Sequence, residues 1–398
     1  MFYGFVNLFY LFMFLIVFSV FIVSVSAVVI LPFENLIKKF YIIKAKNKLK
    51  KYKDLIIVAI TGSYGKTSTK KFLYEVLKSK FDVCCSPNSY NTEMGITKTI
   101  LNELKPYHKI LILEFGADRK NDIKKLCKIA KPDISVVTAV GEQHLKTFKT
   151  VQNIINTKYQ IVEGTKESGV FITNIDNKIC NDFFNKTKIK KFAVSRFNND
   201  SFCYAVNYEE SRKGLKVDVV INGESFLINA NILGEFNIDN LLIVISIAKL
   251  LGLNLQEIKN GIKQIKPVKH RLELKPLSNG AVLIDDSFNS NPVGANCAVK
   301  TLKKIADKTI VITCGMVELG KMQYKLNYEF GKSLGLVDIV LIVNDVNFLA
   351  IKEGASSVGN KQVIGFNSFN LAFDYAIKNS NENTAILIEN DLTDSYIV

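Results

Sequence analysis

Three scarcities narrow this 398-residue chain before any motif is considered. Histidine occurs only three times. The seven cysteines show no metal-binding spacing, since Cys84 and Cys85 adjoin and the others are scattered. Reduced thiols in a cytosolic setting are the expectation. The net charge of +15 comes without a basic patch interleaved with aromatics, so it gives no ground for a nucleic-acid partner. Internal repeats and low-complexity stretches are lacking as well. The longest absence is of charge itself: from Met1 to Phe33 there is no Asp, Glu, Lys or Arg, and Phe, Leu, Val and Ile dominate.

That run exceeds the roughly 20 apolar residues needed to span a bilayer core. Eight lysines follow between Lys38 and Lys53, against Glu34 and Asp54. Lysine accumulates on the cytoplasmic side of membranes, which predicts a single-pass anchor with the main body in the cytosol. The basic collar is expected against anionic headgroups. Val25-Ser26-Ala27 offers a cleavable-signal alternative, but the run is long and no basic residue precedes it. We therefore read residues 1–33 as a membrane anchor and 34–54 as a basic juxtamembrane segment.

About 345 residues remain, room for two domains. The first opens on Ile56-Ile57-Val58-Ala59-Ile60, a buried-strand pattern, followed by Thr61-Gly62-Ser63-Tyr64-Gly65-Lys66-Thr67-Ser68 and a segment of helical spacing to Leu77. A strand, a glycine-rich turn and a helix start make a phosphate-binding loop. The first helical N–H groups lack partners in the chain and can point at phosphate. Glycines let the backbone approach, Lys66 adds a point charge and Thr67 can hold magnesium. The position five residues before Gly65 is Ile60, so the common nucleotidase spacing is not met.

The body alternates strands and helices, which predicts an α/β fold with mostly parallel sheets. Leu55–Ile60, Lys109–Glu114, Ile134–Ala139 and Gly169–Asn174 read as strands, with helices over Asp122–Ala130 and Val151–Glu163. Runs near Phe202–Tyr208, Leu215–Ile221 and Ser225–Ala230 predict an antiparallel excursion, and Asn237–Leu251 a helix. Pro267–Arg271 reads as a joint. Beyond it Val282–Asp286, Thr309–Cys314, Ile339–Val343 and Ala385–Glu389 read as short buried strands. The expected domains are a central ATP-binding domain over 55–268 and a smaller Rossmann-like α/β domain over 269–398. Glu114 closes its strand beside the phosphate loop, where a carboxylate is placed for magnesium. His144 follows the strand ending at Ala139, and His108 lies in an exposed lysine-rich stretch.

From Thr61 onward the chain resembles the Mur ligases, most closely the MurF type. The matching stretches are Thr61–Lys70, Asn88–Gly95, Leu113–Ala117, Val140–Leu145, Thr157-Lys158, Asn237–Asn240, His270–Leu272, Asp285–Pro292 and Gly315–Gly320. Their order and spacing carry the match. The resemblance implies that Thr61, Gly62, Ser63, Gly65, Lys66, Thr67 and Ser68 bind phosphate. It makes Thr67 and Glu114 magnesium ligands, His144 the ligand to a second magnesium, and Lys158 a carbamylated lysine near the metals. Asn237 would contact nucleotide, Arg271 the γ-phosphate, Asp286 the ribose and Asn289 the adenine.

The implied reaction is amide ligation in peptidoglycan synthesis. ATP phosphorylates a muropeptide carboxylate, and an amine, D-alanyl-D-alanine in the MurF type, attacks the acyl phosphate. Three departures bear on the substrates. Only the anchor and collar precede the phosphate loop, where MurF-type enzymes carry a uridine-binding domain. Gly234-Glu235-Phe236-Asn237 has Phe where the family has His, and Ile388–Leu392 lacks the family's Lys-Gly-Ser. The muropeptide is therefore expected to be UDP-linked or lipid-linked. A poly-γ-glutamate synthase-like ligase and a nucleotide-binding membrane scaffold are the alternatives.

Overall fold

The computed structural model describes residues 2–87, 89–141, 145–288, 292–317, 319–360 and 362–390. Two sheets organise the body, each with apolar layers on both faces. The large sheet contains β1 (Ile56–Thr61), β2 (Val83–Cys85), β3 (Ile110–Glu114), β4 (Ile134–Val137), β5 (Val170–Asn174), β6 (Lys190–Ser195), β7 (Cys203–Ser211), β8 (Gly214–Ile221) and β9 (Glu224–Ala230). Their order is β2-β3-β1-β4-β5-β6-β7-β8-β9. Pairing is parallel through β7 and antiparallel from β7 to β9. The first four predicted strands appear within a residue or two of the expected bounds. β4 ends earlier, at Val137, because the Thr138 hydroxyl turns to bond the Thr61 carbonyl at 3.2 Å.

The small sheet holds β10 (Glu273–Pro276), β11 (Val282–Asp286), β12 (Lys308–Thr313), β13 (Ile339–Val343), β14 (Val363–Phe366) and β15 (Thr384–Glu389), in the order β10-β11-β15-β12-β13-β14. All pairs are parallel except β10 with β11. Strands such as Ile-Val-Leu-Ile-Val in β13 are continuously apolar because both faces are covered. Parallel pairing also aligns the carboxyl ends of β1 and β3 along one rim of the large sheet. Ligands of such sheets bind along that rim.

The N-terminal helix runs unbroken from Phe2 to Leu49, through Pro32. By length and composition it can cross a membrane. Side chains described between Tyr10 and Phe40 are exposed, whereas the helix base is docked. Ala45 is fully buried, and Ile42, Leu49 and Tyr52 pack on the same core. The collar therefore differs from a purely lipid-facing one. Lys48 Nζ turns inward and donates to the Leu101 and Leu104 carbonyls at 2.9 and 2.7 Å, beside a π-helical turn at Thr99–Glu103. Burial lowers its pKa.

Candidate active site

The glycine-rich turn links β1 to a helix at Lys66–Leu77. Gly65 has φ +78°, a conformation that disfavours a side chain, and a Cβ there would approach Asn240 Oδ1 to 2.5 Å. No side chain caps this helix start. Its N–H groups thus remain available to an anion. Lys66 Nζ reaches back to the Gly62 and Ser63 carbonyls at 2.8 and 3.3 Å, which holds the ammonium over the turn. Burial lowers its pKa, against the attraction of Glu114, while Arg271 lowers it further.

Two expected phosphate contacts prove to be braces. The Thr61 hydroxyl is fully buried and donates to Phe115 O at 2.8 Å. Ser63 Oγ bonds both the Gly141 carbonyl and its N–H, at 3.0 and 3.1 Å. Their side chains fix the turn to neighbouring strand ends, leaving their backbone to line it. Ser68 lies half-buried in the first helical turn.

Glu114 is the electrostatic centre of the site. Only 1% exposed, it accepts from Thr67 Oγ1 at 3.0 Å and Asn91 Nδ2 at 3.1 Å, and pairs with Lys70 Nζ at 3.2 Å. Thr67 and Glu114 offer hard oxygen donors side by side, which suits magnesium. Lys70 and Asn91 were not among the candidate residues. The signal for Lys70 is its place one helical turn after Lys66, on the face that Thr67 shares; Asn91 lies inside the Asn88–Gly95 stretch.

Lys158 sits in the helix Val151–Glu163 at 2% exposure. Burial, with the neighbouring Lys66, pulls its ammonium down to about 7 despite Asp118, Asp122 and Glu114. Arg271 comes from the joint. His270 and Leu272 on either side have φ of 59° and 45°, an unusual left-handed pair that fixes where the guanidinium points. The guanidinium lies 4.7 Å from the Phe288 ring centroid. Burial lowers its pKa, opposed by Asp286 and Glu114. Lys66, Glu114, Lys158 and Arg271 thus form one electrostatic cluster reaching from the rim of the large sheet to the joint.

Asp286 ends β11 and accepts from the Leu272 N–H at 3.2 Å. Burial raises its carboxyl to about 6, with Arg271 opposing. Asn237 is tied into the protein by its own side chain. Its amide donates to Leu233 O at 2.6 Å and accepts from Asn240, whose oxygen accepts from Thr69. That chain ties the helix Phe236–Leu250 to the helix of the phosphate loop, so the Asn237 side chain is engaged within the protein. His144 and Asn289 lie outside the described residues.

Residues 60–248 match the Mur ligase middle domain, and residues 270–389 the Mur ligase glutamate ligase domain. A UDP-N-acetylmuramoyl-tripeptide–D-alanyl-D-alanine ligase of Buchnera aphidicola is 30% identical over 265 residues, covering 67% of this chain and 57% of the relative. The enzyme of the same name from Haemophilus influenzae is 27% identical over 304 residues, covering 75% and 66%. The chain therefore spans about three-fifths of the length of these relatives. Among solved structures, MurF from Thermotoga maritima in complex with ADP superposes with a TM-score of 0.80 at 23% identity, covering 89% of this chain and 80% of that one. MurF from Acinetobacter baumannii gives 0.79 at 21%, covering 89% and 77%. At these identities the likeness is one of fold.

Proposed function

This chain belongs to the Mur ligase family, and from that premise we propose that it is an ATP-dependent carbon–nitrogen ligase of peptidoglycan precursor synthesis. Its acid substrate is a muropeptide and its amine D-alanyl-D-alanine. The observation that carries the reading is the meeting of Arg271, from the joint, with Lys66 and Glu114 over an uncapped helix start.

A carboxylate resists attack by an amine because hydroxide-like oxygen is a poor leaving group. Phosphorylation converts that oxygen into a phosphate, which departs when the amine attacks. Lys66 and the helix N–H groups bind the phosphates, and Arg271 stabilises the charge on the transferring group. Closure of the second domain over the loop excludes water from the acyl phosphate. Magnesium, held by Thr67 and Glu114 and, by resemblance, His144, neutralises phosphate charge when bound. With a pKa near 7, Lys158 is substantially neutral at physiological pH. Its free amine can add to carbon dioxide, forming an N–C bond and releasing a proton. The carbamate so formed is an anionic oxygen ligand in place of a cation. The apolar N-terminal helix supports a membrane tether, with the body on the cytosolic side, and a substrate that is either UDP-linked or lipid-linked.

Phosphate release with purified protein tests the reading. Turnover that requires both UDP-muramoyl-tripeptide, or its lipid-linked counterpart, and D-alanyl-D-alanine is the expected result. Turnover with glutamate as the amine would instead mark a poly-γ-glutamate synthase-like enzyme. ATP binding without turnover on any acceptor would leave a nucleotide-binding scaffold.

A further inference from the structure

One edge of the large sheet carries a groove to which the proposed ligation assigns no role. β2 pairs with β3 alone and leaves its other side open. On the paired side, Asp82 O accepts from Lys109 N at 2.9 Å, and Ser86 N donates to Ile112 O at 3.0 Å. Alternate residues of a parallel strand turn their backbone groups to the same side. Cys84 therefore faces β3 with them, while Val83 and Cys85 direct N–H and C=O outward. Among the described residues nothing bonds those outward groups.

A cavity of about 470 Å³ borders this edge from Val83 to Pro87. Lys71 and Tyr74 line it from the phosphate-loop helix, Glu103 and His108 from the approach to β3, and Lys266 from the joint. Ser86, 3% exposed, lines it as well. Charge points to the occupant. Lys71 and Lys266 are exposed and in no ion pair among the described residues, whereas Glu75 is already held by Lys78 at 2.6 Å. Of the carboxylates that line the cavity, that leaves Glu103 to oppose them.

We propose that this edge is a docking groove for an extended acidic peptide, which adds a strand beside β2. Backbone pairing with Val83 and Cys85 supplies the register, and the two lysines the preference for acidic side chains. A strand added in parallel runs from His108 towards Pro87. It ends beside Lys70, the residue that holds Glu114. Short edge strands flanked by lysine also serve to prevent aggregation. That role accounts for the lysines but leaves the cavity unexplained.

The test uses the full-length protein in detergent micelles and a labelled, acetylated Glu-Val-Glu-Val-Glu peptide as probe. Fluorescence anisotropy should show saturable binding, roughly 10–500 μM in Kd. Methylating alternate peptide nitrogens should weaken it about tenfold by removing strand pairing, and Lys71→Glu several-fold by removing charge. Hydrogen exchange over residues 82–86 should slow with peptide present. No saturable binding, equal affinity for the methylated peptide, or unchanged exchange would overturn the proposal. None of these readouts involves ATP turnover, so failure here leaves the ligase reading standing.

Discussion

Glu114 and Asp286 hold the same station in two different sheets, each the last residue of a buried parallel strand. Their surroundings diverge. Glu114 is gripped on both oxygens by Thr67, Lys70 and Asn91, all from the large-sheet half of the molecule. Asp286 has one backbone donor, at Leu272, and burial lifts its carboxyl to about 6. The first is an anion built into a rigid rim. The second depends for its charge on Arg271, which the joint delivers. Parallel sheets thus offer strand-end carboxylates as a matter of architecture, and neighbouring donors decide which becomes a fixed electrostatic post.

The comparison breaks most severely at Glu114. Glu114→Gln should reduce ATP-dependent phosphate release by about 10³-fold while the protein stays folded, since the amide can still accept from Thr67 or Lys70. Glu114→Ala should also destabilise by about 3–5 kcal/mol, because it strands the buried Lys70 ammonium. Urea unfolding separates the two losses. Near wild-type turnover in Glu114→Gln would remove this residue from the site.

Lys158 comes next. Lys158→Met should lower turnover about 10²-fold, and added short carboxylates should restore part of it by supplying the missing anionic oxygen. Stability gives an independent reading. A lysine whose folded pKa is about 7 binds fewer protons than its unfolded form between pH 7 and about 10.5, so wild-type stability rises with pH across that window. Replacing Lys158 should flatten that rise, as measured by urea midpoints at pH 7 and pH 9.5.

Arg271→Lys sharpens the contrast by keeping charge at the joint while removing the planar group that lies beside Phe288. A loss of about tenfold in kcat with little change in the KM for ATP is expected, because a point charge cannot reproduce the guanidinium geometry. An unchanged kcat would place Arg271 outside the transferring phosphate's reach. Asp286→Asn should be the mildest. A carboxyl raised to about 6 binds more protons folded than unfolded, so wild-type stability falls as pH climbs from about 4 to 6. The variant should lose that fall, a change of about 1–3 kcal/mol visible in melts at pH 4 and pH 6.5.

Strands and sites were not equally legible. Apolar runs bounded by turns revealed β1, β3 and β13 because burial on both faces leaves an unmistakable pattern. β2 has only three residues, β6 opens on two lysines, and β10 reads Glu-Leu-Lys-Pro, so edge position and charge hid them. The π-helical turn at Thr99–Glu103 has no pattern of its own. Lys66, Thr67 and Glu114 followed from strand, turn and strand end. Lys158, Arg271 and Asp286 emerged only through family resemblance, since nothing local marks a helix lysine or a joint arginine as special. Lys70 escaped because a lysine on an amphipathic helix reads as solvated, and its burial is a tertiary fact. Asn237 was legible as a position, but its bonds to Leu233 and Asn240 are tertiary facts.

The unbroken helix from Phe2 to Leu49 has a mechanical consequence. A continuous helix transmits an inclination of its apolar end to the body on its docked base, with Pro32 the one proline at which it can bend. Its uncharged portion, at 1.5 Å per residue, is about 48 Å long, well beyond a hydrocarbon core of about 30 Å. Set in a bilayer, such a helix leans to bury its excess length, and leans further where the bilayer is thinner. Were the helix to span a membrane, local bilayer thickness would bear on the inclination of the body it carries.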